Sequence, residues 1–208
     1  MTESTTIATF PTAMLRAAAG ATGENRRFPF HAIHVLGAGS VEATDGRMLV
    51  RMEDTERGED APTLAPFLVS PGSLDAVLRA EKGTKRAPGR VGVDAGPTNA
   101  NGHVALRGPS SGLSVDVPKV EGTFPSTDAV IPQSRADDAG VCYVGVDYLA
   151  RMLKCAADAG VQNVRVQLPG LNMDGEPLGA IRFDATVGGT GAIRFLGALM
   201  PVTKGPVL

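Results

Sequence analysis

The chain has 208 residues, enough for one large domain or two smaller ones, and its 43% hydrophobic and 20% charged residues exclude a disordered or fibrous protein. Its net charge of −2 shows no overall basic excess, so nucleic-acid binding would require cations gathered on one face. Cys142 and Cys155 are too few for a disulfide framework, and the sequence shows neither a signal-peptide pattern nor an apolar run of about 20 residues. We therefore expect a cytoplasmic protein that does not enter a membrane.

Two helices are predicted in the first half of the chain. The first, TAMLRAAAGATG, has Thr12 as a possible N-cap and ends at Gly20 or Gly23. The second, SPGSLDAVLRAEKG, has Ser70 in the capping position and Pro71 at the first helical position, and a glycine at position 83 ends it. The spacing of its apolar residues predicts one buried stripe, formed by Leu74, Val77 and Leu78.

A third helix is predicted in VDYLARMLKCAADAG. Asp147 is placed to cap its start, and Gly160 is placed to stop it. We expect Cys155 to be a buried, reduced thiol within this helix, and Cys142 to lie in a strand before it. The apolar face of the helix is predicted to contain Leu149, Met152, Leu153 and Ala156.

Strand-like segments surround each helix. HAIHVL, SVEAT and RMLVRM follow the first; FLVS precedes the second, and RVGVDAG, HVALRG and LSVDVPKV follow it. VCYVGV precedes the third helix, and VRVQLP, AIRFDATV and AIRFLGALMPV follow it. The recurring unit is therefore one strand, one short helix and about three strands. This pattern predicts an α+β fold of antiparallel sheets with the helices on one face.

Each predicted helix also carries cations away from its apolar stripe. For any single helix, a solvated face with favourable charges near its C-terminus explains them. If the three helices lie side by side, however, the cations form one basic face that can meet phosphates without reading the base sequence. The candidates for this DNA-facing surface are Arg16, Arg26, Arg27, Arg79, Lys82, Lys85, Arg86, Arg151 and Lys154.

Motifs for catalysis and metal binding are incomplete in this sequence. GPSSG, residues 108–112, resembles a nucleophile elbow, but a strand follows it instead of a helix, so Ser110 is interpreted as a loop serine. His31 and His34 would lie on opposite faces of a strand and form a poor metal pair. Asp45, in Thr-Asp-Gly, is expected to hydrogen-bond its own turn. We therefore expect a binding protein with no catalytic residue, metal or cofactor.

VEATDGRML, residues 41–49, resembles the V-A-T-D-G-H-R-L signature in the middle domain of the bacterial sliding clamp, the β subunit of the replicative DNA polymerase. Four further segments resemble the same family in the same order: MLRAAAGATGENRRFPFHAIHV, FLVSPGSLDAVLRAEK, VEGTFPSTDAVIP and FLGALMPVTKG. Together they cover nearly the whole chain. The resemblance implies a DNA-clamp fold.

In that family the helices line a ring through which duplex DNA passes, and partners insert a short hydrophobic peptide into a cleft. The resemblance therefore implies three kinds of partner: duplex DNA bound through its backbone, peptides of the polymerase and the clamp loader, and further copies of the chain. It also implies an exposed Met-Leu pair after the turn, although closure of Leu49 onto the core is equally well supported. The implied cleft residues are Thr44, Gly46, Arg47, Met48, Leu49, Val130, Pro132, Met200, Pro201 and Val202.

The expected organisation is an N-terminal tail (1–8), a complete clamp-like domain (9–132), a linker (133–140) and half of a clamp domain (141–208). Arg-Met replaces His-Arg in the family turn, and one and a half of the family's three domains have no counterpart. Unpaired strand edges of the half domain favour a homo-oligomer. We expect a non-enzymatic processivity factor associated with the nucleoid. The alternative is an interaction module, either a decoy or a scaffold, that keeps the cleft but does not encircle DNA.

Overall fold

The structure is a computed structural model that describes most of the chain. It describes residues 6–23, 30–37, 39–57, 64–81, 89–94, 102–131, 144–170, 179–187 and 193–201. Nine residues named above lie outside this part of the chain: Arg26, Arg27, Lys82, Gly83, Lys85, Arg86, Pro132, Cys142 and Val202.

The predicted α+β class is confirmed, with strands far outnumbering helices in the described residues. No helix there is long and apolar enough to span a bilayer. In chain order the elements are β1 (Thr6–Pro11), α1 (Thr12–Ala21), β2 (Ile33–Val35), β3 (Ser40–Thr44), β4 (Met48–Asp54), β5 (Phe67–Val69), α2 (Pro71–Ala80), β6 (Arg90–Asp94), β7 (His103–Arg107), β8 (Ser114–Pro118), α3 (Val146–Asp158), β9 (Arg165–Gln167), β10 (Ile181–Val187) and β11 (Ile193–Leu199).

The repeated unit of a strand, a helix and three strands is confirmed in the first two repeats, and in the third the description begins just before the helix. Unit 1 runs from β1 to β4, unit 2 runs from β5 to β8, and unit 3 is described from α3 to β11. Units 1 and 2 exchange their first strands: β1 pairs with β6 of unit 2, and β5 pairs with β2 of unit 1, both antiparallel. The strand β1 begins at Thr6, inside the segment expected to be a tail.

Unit 3 joins unit 1 through one continuous antiparallel ladder. Strand β11 pairs with β4 along its whole length, from Met48 opposite Leu199 to Asp54 opposite Ile193. One sheet therefore has seven strands in the order β5-β2-β3-β4-β11-β10-β9, and the other has four in the order β1-β6-β7-β8. Helix α1 lies between α2 and α3 and contacts both.

All three helices and both sheets share one main hydrophobic core. The predicted stripe of α2 is confirmed, whereas that of α3 is partly wrong: Met152, Cys155 and Ala156 are buried, but Leu153 is 44% exposed. The helix is rotated because α1 covers its Cys155 side, where the Cys155 sulfur approaches Gly20 of α1. Burial raises the pKa of the Cys155 thiol to about 11, which keeps it protonated at neutral pH.

The helix starts agree with the sequence in α2 and differ in α1 and α3; in α1, Pro11 takes the N-cap position and Thr12 is the first helical residue. The Ser70 hydroxyl accepts a hydrogen bond from Ser73 N, and Pro71 occupies the first helical position, as predicted. Asp147 is not the N-cap of α3: Gly145 takes that position, and Asp147 lies in the first turn. A carboxylate there still interacts favourably with the unpaired N–H groups of the helix start.

The segment that follows β8 crosses the face of the seven-stranded sheet opposite the helices. We call residues 119–131 the strap. It starts beside the edge strand β5, where Val120 N donates to Leu68 O at 2.8 Å. Phe124 then packs with Leu68, and Ile131, at the far end, packs with Leu49 of β4. The strap therefore spans the sheet from one edge to the β4–β11 junction.

We expect Gly197→Ala to destabilise the fold by about 1–3 kcal/mol, because a Cβ on this β11 residue would lie 2.6 Å from Met152 Sδ and 3.2 Å from Phe183 Cβ in a packed core. Urea unfolding followed by circular dichroism measures this change. The matched control is Gly72→Ala in α2, whose Cβ meets only Ser70 Oγ at 3.8 Å. We expect the control to stabilise the chain by about 0.5 kcal/mol, and equal effects of the two variants would contradict the proposed close packing of α3 on β11.

Candidate functional site

The Thr-Asp-Gly turn between β3 and β4 is held by its own side chains. Thr44 Oγ1 donates to Met48 O at 2.7 Å and accepts from Gly46 N at 3.0 Å. Asp45 Oδ1 accepts from Arg47 N and Met48 N, both at 2.9 Å, as expected for this turn. Gly46 has a φ of +89°, a conformation that residues with a Cβ rarely adopt. The residues of the turn thus hold it in one shape.

The expected exposure of Met48 is wrong, and of the two alternatives for Leu49 the structure has the buried one. Both side chains are buried, because consecutive residues of a strand point to opposite faces and each face of this sheet is covered. Met48 belongs to the main core. Leu49 lies on the opposite face, in a small cluster with Ala180 and Ala198, against which Ile131 of the strap packs. Leu49 is therefore buried beneath the strap and is not an exposed wall of the implied cleft.

Three segments that are distant in the sequence meet around this small cluster. The turn contributes Arg47, whose carbonyl accepts a hydrogen bond from Met200 N at 3.0 Å, just beyond the end of β11. The strap contributes Val130 beside Ile131. Val130 and Met200 are 42% and 47% exposed, which is high for large apolar side chains. We call this junction the cleft, since it is where the resemblance implies a peptide cleft; its described residues are Thr44, Gly46, Arg47, Leu49, Val130, Ile131, Ala180, Ala198, Met200 and Pro201.

A partly buried network of charged and polar groups holds the far end of the strap to the sheet. Arg51 of β4 donates through Nε to Glu42 Oε2 at 2.9 Å and through Nη1 to Asp128 Oδ1 at 2.6 Å. Thr127 Oγ1 donates to Glu42 Oε2 at 2.6 Å. On the other side, His34 Nδ1 hydrogen-bonds to Glu42 Oε1 at 2.9 Å. Thr127 and Asp128 precede Val130 by two or three residues, so this network positions one wall of the cleft.

The network also determines the ionisation of Glu42. Burial by itself raises the pKa of the Glu42 carboxyl. The hydrogen bonds from His34 and Thr127, together with the charge and hydrogen bond of Arg51, outweigh burial, so this pKa lies below its ordinary value of 4.5. Glu42 is therefore an anion at neutral pH and accepts all of these hydrogen bonds.

Arg151 of α3 connects the turn to the end of α1. Its Nη1 donates to Asp45 Oδ2 at 2.6 Å, and its Nη2 donates to the carbonyls of Gly20 and Thr22 at 3.4 and 3.2 Å. The last carbonyls of a helix lack partners within the helix, so a cation there is stabilising. Arg47 donates to Tyr148 Oη at 3.0 Å. The turn is thereby tied to two helices as well as to β11.

The other predicted helix cations differ in how exposed they are and therefore in how available they are to DNA phosphates. Arg16 is half-buried and donates to Leu78 O at 2.6 Å, near the end of α2. Arg79 and Lys154 are exposed, and each pairs with an acid one helical turn away, Arg79 with Asp75 and Lys154 with Asp158. The Asp158 hydrogen bond raises the pKa of Lys154. Two of the four described cations therefore stabilise helix ends, and two remain at the surface.

The remaining candidates for chemistry have structural roles. Ser110 lies in the turn between β7 and β8, as interpreted from the sequence, and the Glu81 carboxylate accepts hydrogen bonds from Ser110 N and Ser111 N at 3.3 and 2.6 Å. Burial raises the pKa of Glu81, but these hydrogen bonds outweigh it and lower the net value. Within the described residues no group of three His, Cys, Asp or Glu side chains could hold a metal ion.

Four residues at or beside the cleft escaped the sequence reasoning. Ile131 follows Val130 directly, and strand alternation applied to β4 would have indicated that Leu49 needs a cover on the outer face. Ala180 and Ala198 carry no signal of their own, because small apolar residues are common in strands. Tyr148 could have been noted as one of only two tyrosines in the chain.

The chain was compared with known proteins. Neither a protein-family model nor a curated protein sequence matches it. Among solved structures, the DNA polymerase III β subunit of Borrelia burgdorferi, solved in complex with a natural product, superposes with a TM-score of 0.65 at 8% identity over 95% of this chain and 63% of that one. The fold is that of a bacterial sliding clamp.

Two further structures have this clamp fold. A chain from Eubacterium rectale assigned as a DNA polymerase III β subunit has a TM-score of 0.63 at 10% identity, covering 95% of this chain and 65% of that one. The C. crescentus β sliding clamp has a TM-score of 0.57 at 15% identity, covering 98% and 67%. The chain thus spans about two thirds of the length of these clamps.

Glu42→Gln should destabilise the chain by about 2 kcal/mol at neutral pH, because it leaves the largely buried Arg51 guanidinium without its buried anionic partner and with only the exposed Asp128. Because the folded-state pKa of Glu42 is lowered, its contribution is complete above the ordinary value of 4.5 and is lost as pH falls through the lower folded value. Unfolding free energies measured from pH 7 down to acid should therefore fall more steeply below that value in the wild type than in Glu42→Gln.

The matched control is Glu53→Gln, on the neighbouring strand, whose half-exposed carboxylate lies 3.5 Å from Arg194. An exposed ion pair of this kind contributes less than about 1 kcal/mol. Parallel acid profiles of the wild type and Glu42→Gln would show that the network does not hold the strap.

Proposed function

We propose that this chain acts as a clamp-type processivity factor, which holds a polymerase-type partner on duplex DNA without catalysing a reaction itself. The observation that carries the proposal is that the turn, the end of the strap and Met200 meet around a small cluster of buried apolar residues. These are three of the five segments that carry the sequence resemblance to the clamp family. The clamp fold adds support from the backbone alone.

The chemistry of the cleft suits a short hydrophobic peptide. Exposed Val130 and Met200 flank a buried apolar floor, and methionine adapts its shape to different apolar partners. Arg47, which is exposed at the turn, supplies a cation for an acidic or C-terminal group. In the C. crescentus clamp a polyethylene glycol molecule is bound at a region described as tethering β-motifs, which supports a corresponding role here.

Val130→Asp and Met200→Asp should each weaken the binding of a hydrophobic polymerase-type peptide at least tenfold, since each places a carboxylate in an apolar contact. Fluorescence anisotropy of a labelled peptide measures this loss. Leu153→Asp is the matched control, because Leu153 is equally exposed but lies on α3. Binding that survives both cleft variants, or that the control abolishes, would exclude the cleft as the peptide site.

The DNA-binding part of the proposal depends on the row of helices. Because α1 contacts both α2 and α3, the three helices form one surface layer, and Arg79 and Lys154 lie exposed on two of them. Exposed pairs such as these are weak, so a phosphate can compete with the aspartates for the cations. The contact would be with the DNA backbone and would not depend on the base sequence.

One observation favours the alternative, an interaction module that keeps the cleft but does not encircle DNA. Arg16 and Arg151, two of the described cations expected to face DNA, donate to the carbonyls of helix ends and so are less available to phosphates. A net charge of −2 gives the chain no general attraction to DNA either. The two functions share the cleft and differ in their dependence on Arg79 and Lys154.

The double variant Arg79→Gln/Lys154→Gln separates these functions. If the chain binds DNA, the variant should bind more weakly, and the slope of log affinity against log salt should fall by about one for each lost phosphate contact. Filter binding to duplex DNA at several salt concentrations measures both quantities. Arg194→Gln, on the sheet face away from the helices, is the control and should change neither. Unchanged DNA binding with intact peptide binding would favour the module.

A further inference from the structure

A cavity of about 350 Å³ lies beside the start of the strap, at the β5 end of the seven-stranded sheet. Its walls come from β2, from β5 and from the first residues of the strap, and they include His34, Phe67, Lys119 and Phe124. The cleft lies at the other end of the strap, and the two sites have no residue in common. Cavities of this size commonly hold small ligands. This one is therefore a candidate site separate from the cleft.

Much of the wall of this cavity is aromatic or apolar. The side chains of Phe67, Leu68 and Phe124 are buried in the protein, and each also borders the cavity. The His34 ring lies against Phe124, with 4.8 Å between the ring centroids and 30° between the ring planes. Flat side chains of this kind favour stacked or edge-to-face contacts with another flat ring. We therefore expect the apolar part of a ligand to be aromatic.

The charge at this cavity is positive. Lys119 Nζ lies over the Phe67 ring, 5.9 Å from its centroid, in a cation–π contact. No ion pair joins Lys119 to an acid within the described ranges, and none of the described residues that line the cavity is acidic. An ammonium group in this setting forms its strongest hydrogen bonds with an anion. The cavity thus offers a cation beside an aromatic wall.

His34 adds a hydrogen-bonding group to the same wall. Its Nδ1 lies 2.9 Å from Glu42 Oε1, and Glu42 is an anion that can only accept, so Nδ1 carries the hydrogen of this bond. In the neutral ring, Nε2 is then an acceptor. A hydroxyl or N–H group on a ligand can donate to it. The network beneath the strap therefore decides which kind of polar group His34 receives.

We propose that this cavity binds a small aromatic carboxylate. The carboxylate pairs with Lys119 Nζ, and the ring packs on the apolar wall that includes Leu68 and Phe124. A hydroxyl on the ring can donate to His34 Nε2. A free acid and the C-terminal aromatic residue of a peptide share this chemistry, and they differ in the groups attached to the ring and the carboxylate.

A ligand in this cavity would also restrain the strap, and this consequence rests on the proposed function. The ligand would contact Phe124 of the strap and His34, and His34 bonds to Glu42, which accepts from Thr127. Thr127 lies three residues before Val130 of the cleft. A ligand that favours the described position of the strap should therefore tighten peptide binding in the cleft, and the peptide should tighten ligand binding by the same factor.

NMR chemical-shift titration of the full chain with 4-hydroxyphenylacetate tests the site. We expect saturable shifts at the amides of residues 67–68 and 119–124. The dissociation constant should rise at least about tenfold in Lys119→Gln, and equally for the uncharged 4-hydroxyphenylacetamide, because each change removes one member of the ion pair. Lys154→Gln, which alters an exposed lysine of α3, is the matched control and should leave the affinity unchanged. Thermal unfolding checks that both variants fold.

Absence of saturable shifts around the cavity, or equal affinities for the acid and the amide, would overturn the proposal. N-acetyltyrosine, which has the groups of a peptide C-terminus, identifies the source of the carboxylate. Tighter binding of this compound would support a peptide end, and tighter binding of 4-hydroxyphenylacetate would support a free acid.

The link to the cleft is measured separately, by fluorescence anisotropy of the labelled peptide with and without saturating 4-hydroxyphenylacetate. We expect the acid to lower the dissociation constant of the peptide at least about fivefold. Equal peptide affinities would contradict the link through the strap. The titration of the cavity needs no peptide, so a failure of the proposed function and a failure of this site give different results.

Discussion

The ladder between β4 and β11 is the constraint on which the rest of the structure depends. Seven paired residues connect strands that lie about 140 positions apart in the sequence, and they make units 1 and 3 one sheet. Because the strands of units 1 and 3 form one sheet, α3 lies against α1. For the same reason Met200, the residue after β11, reaches the Thr-Asp-Gly turn. The candidate cleft exists only because this pairing has one register, since a shift by one residue would turn Leu49 to the other face.

The strap gives the outer face of this sheet a second layer without a helix. A buried carboxylate is costly unless it is fully hydrogen-bonded, and Glu42 meets that condition through His34, Arg51 and Thr127. These hydrogen bonds attach the strap to β3 and β4 in one position, which apolar packing alone would not fix. It fixes where the strap ends and therefore where Val130 stands relative to Met200.

Both ends of the seven-stranded sheet illustrate the need to pair strand edges. At β5 the chain covers its own edge with the start of the strap, through the Val120–Leu68 hydrogen bond. At β9 the described residues provide no such cover.

The sequence by itself determined the local features. The repeated unit, the capped start of α2 and the Asp45 turn follow from hydrophobic periodicity, capping residues and turn chemistry, which act over a few residues. Tertiary structure alone decided which strands pair and that the strap covers Leu49. It also decided that Arg16 and Arg151 donate hydrogen bonds to the carbonyls at helix ends. These outcomes depend on contacts between residues more than 60 positions apart in the sequence, for which neither periodicity nor local motifs carry a signal.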